Sequence, residues 1–262
     1  MKCPLPEDTP IIHHFFQKCN TKIKIFQKGF NYSQDGPGNR LVYHLQGCNL
    51  KCPWCSNPEG MDIQSKCIET DTDSIVKEIL SCVPMFFENG GVTFTGGEAT
   101  MQLDALKDIM KKAKENDINT AIETNASVKG IENLSDVCDY WIIDFKHPNP
   151  DTLKDITGGN IDIITDNILS LSKKHFLHLR IPLIHEFNDS DNDLKGFIDF
   201  FDSLKNSGGE FDVEILPYHE YGKEKWEKCG KEYTVINGFV HNETVNKFIK
   251  TFKDYGFSVI KT

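Results

Sequence analysis

Along the chain, short runs rich in β-branched and aromatic residues alternate with longer segments whose apolar residues return every three or four positions. The runs are "RLVYHLQG", "GGVTFTGG", "NTAIETN", "DYWIIDFK", "FLHLRIPLI" and "FDVEILPY". Between them stand "DTDSIVKEILSC", "QLDALKDIMKKAKEN", "GIENLSDVC", "IDIITDNILSLSKK" and "DNDLKGFIDFFDSLKN", and "HNETVNKFIKTFKDYG" follows the last. Leu103, Leu106, Ile109 and Met110 sit at helical spacing and give their segment one apolar face. "WIIDF" is short and apolar, as a strand buried on both faces is. Strands that alternate with helices pair in parallel through right-handed crossovers. Six such units and a closing "FSVIK" strand predict an α/β fold, an open, partial (β/α)6 TIM-like barrel with parallel strands.

A barrel of this kind carries its function at the C-terminal ends of its strands. The unusual residues fall there: "QGCNLKCPWC" after the first strand, "TGGE" after the second, "ETN" after the third, "DFK" after the fourth, "RIP" at the fifth and "LPYHE" after the sixth. Their agreement predicts one assembled site. No Pro/Gly/Ser tract divides the chain. Residues 1–30 read as a leader of unknown role, and residues 31–262 as one core domain.

Composition narrows the class. A chain of 262 residues fits one domain, and 39% hydrophobic residues are enough for a sizeable core. The formal net charge of −10 argues against nucleic acid or an anionic membrane as the main partner, since both reward basic patches. The start "MKCPLPEDTPII" carries acids where a signal peptide needs its apolar run, and no segment is long enough to span a bilayer. A cytoplasmic protein is expected. Nine cysteines, an odd count without a secretion signal, point away from disulfides and toward metal or redox chemistry.

Three of them, Cys48, Cys52 and Cys55, fall within eight residues. Thiolates hold iron–sulfur clusters, and a four-iron cube has four corners to ligate. Three cysteines in a tight loop hold three corners and leave one iron open to a small molecule. Structural zinc is the alternative, but it closes a shell of four protein ligands, and His44 precedes the loop in its strand. Gly96 and Gly97 allow close backbone approach, so that exposed carbonyls or the Glu98 carboxylate can receive an ammonium group. Taken alone, the GGE tip also reads as an ordinary strand-to-helix turn. Asp144 and Lys146 share one face of an extended segment.

"CNLKCPWC" is a CxxxCxΦC pattern, with Trp54 as the aromatic, and resembles the radical S-adenosylmethionine (SAM) superfamily. The resemblance implies one [4Fe-4S] cluster on Cys48, Cys52 and Cys55. SAM would bind the open iron, and its cleavage would release a 5′-deoxyadenosyl radical. It implies SAM contacts from Trp54, Cys55, Ser56, Gly96, Gly97, Glu98, Asp144, Phe145, Lys146, Arg180 and His219. It also implies a monovalent cation at Glu123, Thr124 and Asp144, although the family member compared carries a shorter aspartate where Glu123 stands.

"DGPGNRLVYHLQGCNLKCPWCSNPE", "GGVTFTGGEA", "DFK", "NDSDND" and "LPYHEYGKEKWEKCGKEY" together resemble the activating enzymes of glycyl radical enzymes. The interval before "GGE" holds only Cys67 and Cys82, too few for an auxiliary cluster, so no ferredoxin-like insert is expected. The compact type, that of pyruvate formate-lyase activation, is the better match. The resemblance implies a protein substrate whose glycine loses a Cα hydrogen, most simply a formate C-acetyltransferase or relative. It also implies flavodoxin or ferredoxin as electron donor, and a substrate lip of Asp35, Gly36, Pro37 and Gly38. Two other readings stay open: a radical SAM enzyme that modifies another substrate such as a peptide, and a non-catalytic metal-binding or redox-sensing module.

Overall fold

All seven expected strands form, and they lie in one sheet with two that the pattern did not announce. The computed structural model describes residues 21–261; Cys3, His13, His14 and Cys19 lie outside them. The strands are β1 (Lys22–Tyr32), β2 (Asn39–Leu45), β3 (Ile68–Asp71), β4 (Gly91–Gly96), β5 (Asn119–Thr124), β6 (Tyr140–Asp144), β7 (Leu177–Leu183), β8 (Phe211–Pro217) and β9 (Ser258–Ile260). Their order is β3-β1-β2-β4-β5-β6-β7-β8-β9. From β2 to β9 every neighbouring pair is parallel. β1 and β3 extend the β2 edge in antiparallel fashion.

The helices are α1 (Thr72–Ser81), α2 (Leu103–Lys114), α3 (Pro150–Thr157), α4 (Ile161–Ser172), α5 (Asp191–Asn206), α6 (Lys223–Lys228) and α7 (Asn242–Asp254). Local chemistry fixes their ends. Ser190 and Asp193 form a reciprocal capping box before α5, and Asn149 and Asn160 cap α3 and α4. "GIENLSDVC", expected as a helix, forms only one 3-10 turn over Ile131–Leu134. Its apolar residues Ile131, Leu134 and Val137 recur every third position, which suits a 3-10 turn better than an α-helix.

The N-terminal boundary moves. Lys22–Phe30, expected as part of a leader, pair with β2 and β3, and the first four of these residues alternate polar and apolar positions. Ile23 and Ile25 are buried in the main core, so the sheet begins at Lys22 rather than after residue 30.

The two faces of the sheet differ sharply. Outward residues such as Tyr43, Phe94, Trp141, Leu179 and Val213 are fully buried under the helices, with Ile109 of α2, Ile168 of α4, Phe201 of α5 and Phe248 of α7. Each fully buried aromatic or aliphatic side chain there stabilises by roughly 1.5–3 kcal/mol. The alternate residues point into the barrel, and there many are polar. Arg40 donates to Thr93 (2.6 Å) and Asn119 (2.9 Å), His178 meets Asp212 (2.9 Å), and Arg180 binds Glu214 (2.9 Å). An ordinary TIM barrel packs its interior with branched apolar residues. This one keeps a polar lumen, and the site stands at its upper end.

Candidate active site at the strand tips

A cavity of about 280 Å³ opens at the C-terminal strand ends and is walled by the cysteine loop after β2 and by the tips of β4, β5, β6, β7 and β8. The loop is held by backbone bonds. Gly47 N–H donates to the Gly60 carbonyl (2.7 Å), Cys48 N–H to Met61 (3.0 Å) and Lys51 N–H to Thr157 (2.8 Å). Across it, Trp226 Nε1 donates to the Cys55 carbonyl (2.8 Å), Lys225 reaches Asn57 (2.8 Å), and Lys231 reaches the Pro58 carbonyl (3.2 Å). α6 and the turn after it thus form the loop's outer wall.

Cys48, Cys52 and Cys55 all line the cavity. Backbone N–H groups of Leu50 and Asn57 point at Cys48 Sγ and Cys55 Sγ (both 3.4 Å), and Asn125 Nδ2 lies 3.9 Å from Cys48 Sγ. These donors favour sulfur that carries negative charge. Burial works the other way: it pushes Cys48 and Cys52 up to about 12 and raises Cys55 as well. Three largely desolvated thiols, two of them with N–H donors aimed at sulfur, fit a cationic group that would hold them as thiolates. No three His, Cys, Asp or Glu side chains among the described residues converge as a single-ion site. An iron–sulfur cube needs no such convergence, because each thiolate takes a different corner. The donor set fits a cube and argues against zinc.

The β4 tip comes close to the cysteine loop. A Cβ on Gly97 would stand 2.3 Å from the Gly47 carbonyl oxygen, so only glycine allows the approach. Glu98 N–H donates to that same carbonyl at 2.7 Å. The Glu98 carboxylate turns away into the protein, 1% exposed, and accepts four bonds: Thr100 N–H (3.0 Å), Thr100 Oγ1 (2.5 Å), Thr124 Oγ1 (2.6 Å) and Asn125 N–H (2.8 Å). Of the two acceptors open in the sequence, carboxylate or carbonyls, the carboxylate is already engaged. Glu98 clamps the β4 and β5 tips together.

Lys146 Nζ pairs with Asp144 at 2.8 Å inside the cavity. Burial alone would lower Lys146, but Asp144 and the neighbouring thiols outweigh it and hold the ammonium above its ordinary range. Trp54 packs on Phe187, with ring centroids 4.4 Å apart, and Ser56 and the exposed His219 complete the rim. Ile184, Leu216 and Tyr218, at the tips of β7 and β8, give their side an apolar wall that sequence reading missed, and Leu50 adds an apolar group from the cysteine loop. Asn125 stood in the quoted "ETN" tip, but nothing local marked its amide as a neighbour of Cys48.

Two residues expected at SAM stand elsewhere. Phe145 is 1% exposed and stacks on Phe200 of α5 (4.5 Å), on the helix side of β6, so its ring does not reach the cavity. Arg180 lies in the lumen outside the cavity lining, between Glu214 and Glu123, and donates also to the Gln34 carbonyl. Glu123, Thr124 and Asp144 all line the cavity, but they are engaged separately: Glu123 with Arg180 and Thr95, Thr124 with Glu98, Asp144 with Lys146.

The turn Ser33–Gly38 joins β1 to β2 and folds into the lumen rather than away from it. Thr93 Oγ1 donates to the Asp35 carbonyl (2.7 Å) and Arg40 to the Pro37 carbonyl (3.2 Å). The half-exposed Asp35 carboxylate accepts from Asn31 Nδ2. This turn lies below the cavity, outside its lining.

Residues 42–200 match the Radical SAM superfamily model. The chain is similar to the pyruvate formate-lyase-activating enzyme of Streptococcus mutans, 34% identical over 77% of this chain and 79% of that one. It is also similar to the 4-hydroxyphenylacetate decarboxylase activating enzyme of Clostridioides difficile, 29% identical over 76% of this chain and 83% of the relative. Among solved structures, Streptococcus suis SuiB bound to S-adenosylmethionine superposes with a TM-score of 0.62 at 17% identity, over 84% of this chain and 49% of that one. A domain of pyruvate-formate lyase-activating enzyme from Bacteroides vulgatus gives 0.54 at 24%, over 65% of this chain and 98% of that one.

Proposed function

The chain belongs to the radical SAM superfamily, whose members use a [4Fe-4S] cluster and SAM, and on that premise we propose that it activates a glycyl radical enzyme. Its substrate is then a folded partner protein, most simply a formate C-acetyltransferase or relative, as the names of its relatives indicate. Cys48, Cys52 and Cys55 would hold the cluster. The backbone at Gly96 and Gly97 would receive the SAM ammonium, since the Glu98 carboxylate is fully occupied. Lys146 would hold the SAM carboxylate or ribose. When bound, cluster and SAM supply a 5′-deoxyadenosyl radical able to take a hydrogen atom from a glycine Cα.

The remaining work is done by this chain's own residues. Ile184, Leu216 and Tyr218 would exclude water from the β7–β8 side of the cavity, which protects a reactive species from side reactions. The Asp35–Gly38 lip faces the lumen and, on this reading, holds the partner's glycine loop by accepting its amide N–H groups at Asp35. Glycine suits the reaction because its bare Cα approaches closely. The electron donor on this reading is a flavodoxin or ferredoxin.

The observation that carries the reading is one cavity that gathers three backbone-anchored thiols, the glycine pair and the Asp144–Lys146 pair. The test is anaerobic. Reconstituted protein with reductant and SAM is expected to release 5′-deoxyadenosine, and to raise a glycyl radical signal on candidate partners tried one by one. In Asp35→Ala the radical yield on the partner is expected to fall much further than 5′-deoxyadenosine release, because small misplacements of reacting atoms are costly in rate. Nucleoside release without a radical on any partner, in wild type, would move the protein to another substrate.

A further inference from the structure

We infer that Arg180, from the lumen beside the cofactor pocket, is the built-in counter-cation of Glu123, a carboxylate that the family resemblance gives to a monovalent metal ion. The inference rests on the radical SAM reading and concerns what this chain's residues leave for such an ion. A cation site at the tips of β5 and β6 needs several oxygen atoms aimed at one point, as hard cations do. Each of the three side chains concerned already has a partner within the protein.

Glu123 uses both carboxylate oxygens. Its Oε1 accepts from Arg180 Nη1 and its Oε2 from Thr95 Oγ1 at 2.6 Å. Thr124 Oγ1 donates to Glu98 at 2.6 Å and accepts from Ala126 N–H at 3.0 Å. Asp144 Oδ2 holds the Lys146 ammonium at 2.8 Å. The positive charge facing these carboxylates is thus delivered by two side chains of the protein, Lys146 in the cavity and Arg180 in the lumen beside it.

The guanidinium is fixed from three sides. Nε donates to Glu214 at 2.9 Å, Nη1 to Glu123, and Nη2 to the Gln34 carbonyl. In the strand register Arg180 also stands opposite Asp144 on β6 and Glu214 on β8. Its side chain is 9% exposed, and a planar donor fork with its acceptors set in advance has little freedom to leave. The contact to Glu123 spans from β5 across β6 to β7, a distance of two strand spacings, about 9–10 Å. Glutamate covers one methylene more of that gap than aspartate does. The length of residue 123 therefore decides whether this carboxylate meets the guanidinium or stays back at the tip with a metal ion.

The experiment is a salt-matched SAM titration of the anaerobically reconstituted protein, in tetramethylammonium buffer with or without KCl or NaCl at about 0.1 M ionic strength. Wild type is expected to bind SAM equally well in all three. Glu123→Asp is expected to gain potassium dependence of about fivefold or more, the usual floor for coupling between neighbouring ligands. Sodium-23 line broadening on the same wild-type protein gives a readout that needs neither SAM nor activity, and no site-specific broadening is expected. Tighter wild-type SAM binding in potassium, specific sodium binding, or a Glu123→Asp variant of native iron content that ignores potassium would each overturn the inference. Failure to bind SAM in any salt would instead overturn the radical SAM assignment of the pocket.

Discussion

Replacing Glu98 by Gln separates a structural clamp from a cofactor ligand. The carboxylate accepts three bonds at Oε1 and one at Oε2. Glutamine best keeps its oxygen at the three-donor position, which sets its NH2 against the Asn125 N–H. One charge-assisted bond is lost, about 1.5–3 kcal/mol, and a buried N–H is left facing another donor, about 1–3 kcal/mol, partly overlapping costs. A net loss of about 3 kcal/mol is expected. For a protein of this size that lowers the unfolding midpoint by roughly 6–12 °C. The assay is thermal unfolding of reconstituted, SAM-free protein, followed by circular dichroism, beside a SAM titration. The clamp predicts a large drop without SAM and a secondary loss of SAM affinity. A midpoint within about 2 °C of wild type, with SAM affinity alone reduced, would refute the argument and return Glu98 to the cofactor.

Further outcomes follow from other contacts. Anaerobically reconstituted protein is expected to hold about four irons per chain, and Ala at any of Cys48, Cys52 or Cys55 to abolish SAM cleavage. Cys67→Ala and Cys82→Ala are expected to keep both, so activity surviving Cys52→Ala would sink the assignment. Arg40 is fully buried and donates to Thr93, Asn119, Val92 and Pro37, so Arg40→Met strands buried acceptors and is expected to cost about 1–3 kcal/mol in urea unfolding; an unchanged or higher stability would contradict that network. Burial pushes Asp139 up, but Lys114 and Thr120 outweigh it and hold the carboxyl below its usual range. Its folded form therefore binds a proton less readily than the unfolded chain does. The stability it adds is present above the ordinary carboxylate range and is lost as pH falls through the lowered value. In acid titrations Asp139→Asn is expected to flatten that part of the curve, and an unchanged curve would discount the pair.

The parts of the site that the sequence revealed are those written within a few residues. Three cysteines inside one loop, a glycine pair at a strand end and Asp144 beside Lys146 carry their geometry locally, and one cavity collects all of them. Strand and helix periods read well for the same reason. Only the first four residues of β1, Lys22–Ile25, alternate polar and apolar before Phe26 breaks the period, a signal too short to mark a strand ahead of the expected core. What spacing could not give were pairings between distant residues. Arg180 and Gln34 are 146 positions apart, and Glu98 and Asn125 belong to different strand tips. A carboxylate at a strand end reads equally as ligand or clamp until its partners are known. The direction of the Asp35 turn was undecidable for the same reason, since Thr93 and Arg180 draw it inward.

The wall that α6 and the following turn build over the cysteine loop also sets an order of assembly. Trp226 closes on the Cys55 carbonyl from 171 positions further along the chain. At about 5–20 residues per second, a ribosome needs roughly 9–34 s to travel from one to the other. Through that interval the three cysteines have been synthesised while their outer cover has not. Metal delivered to the nascent loop would meet an unwalled site open to oxygen and to competing ions. Release of a chain truncated before Trp226 would leave its cysteines synthesised but without that cover.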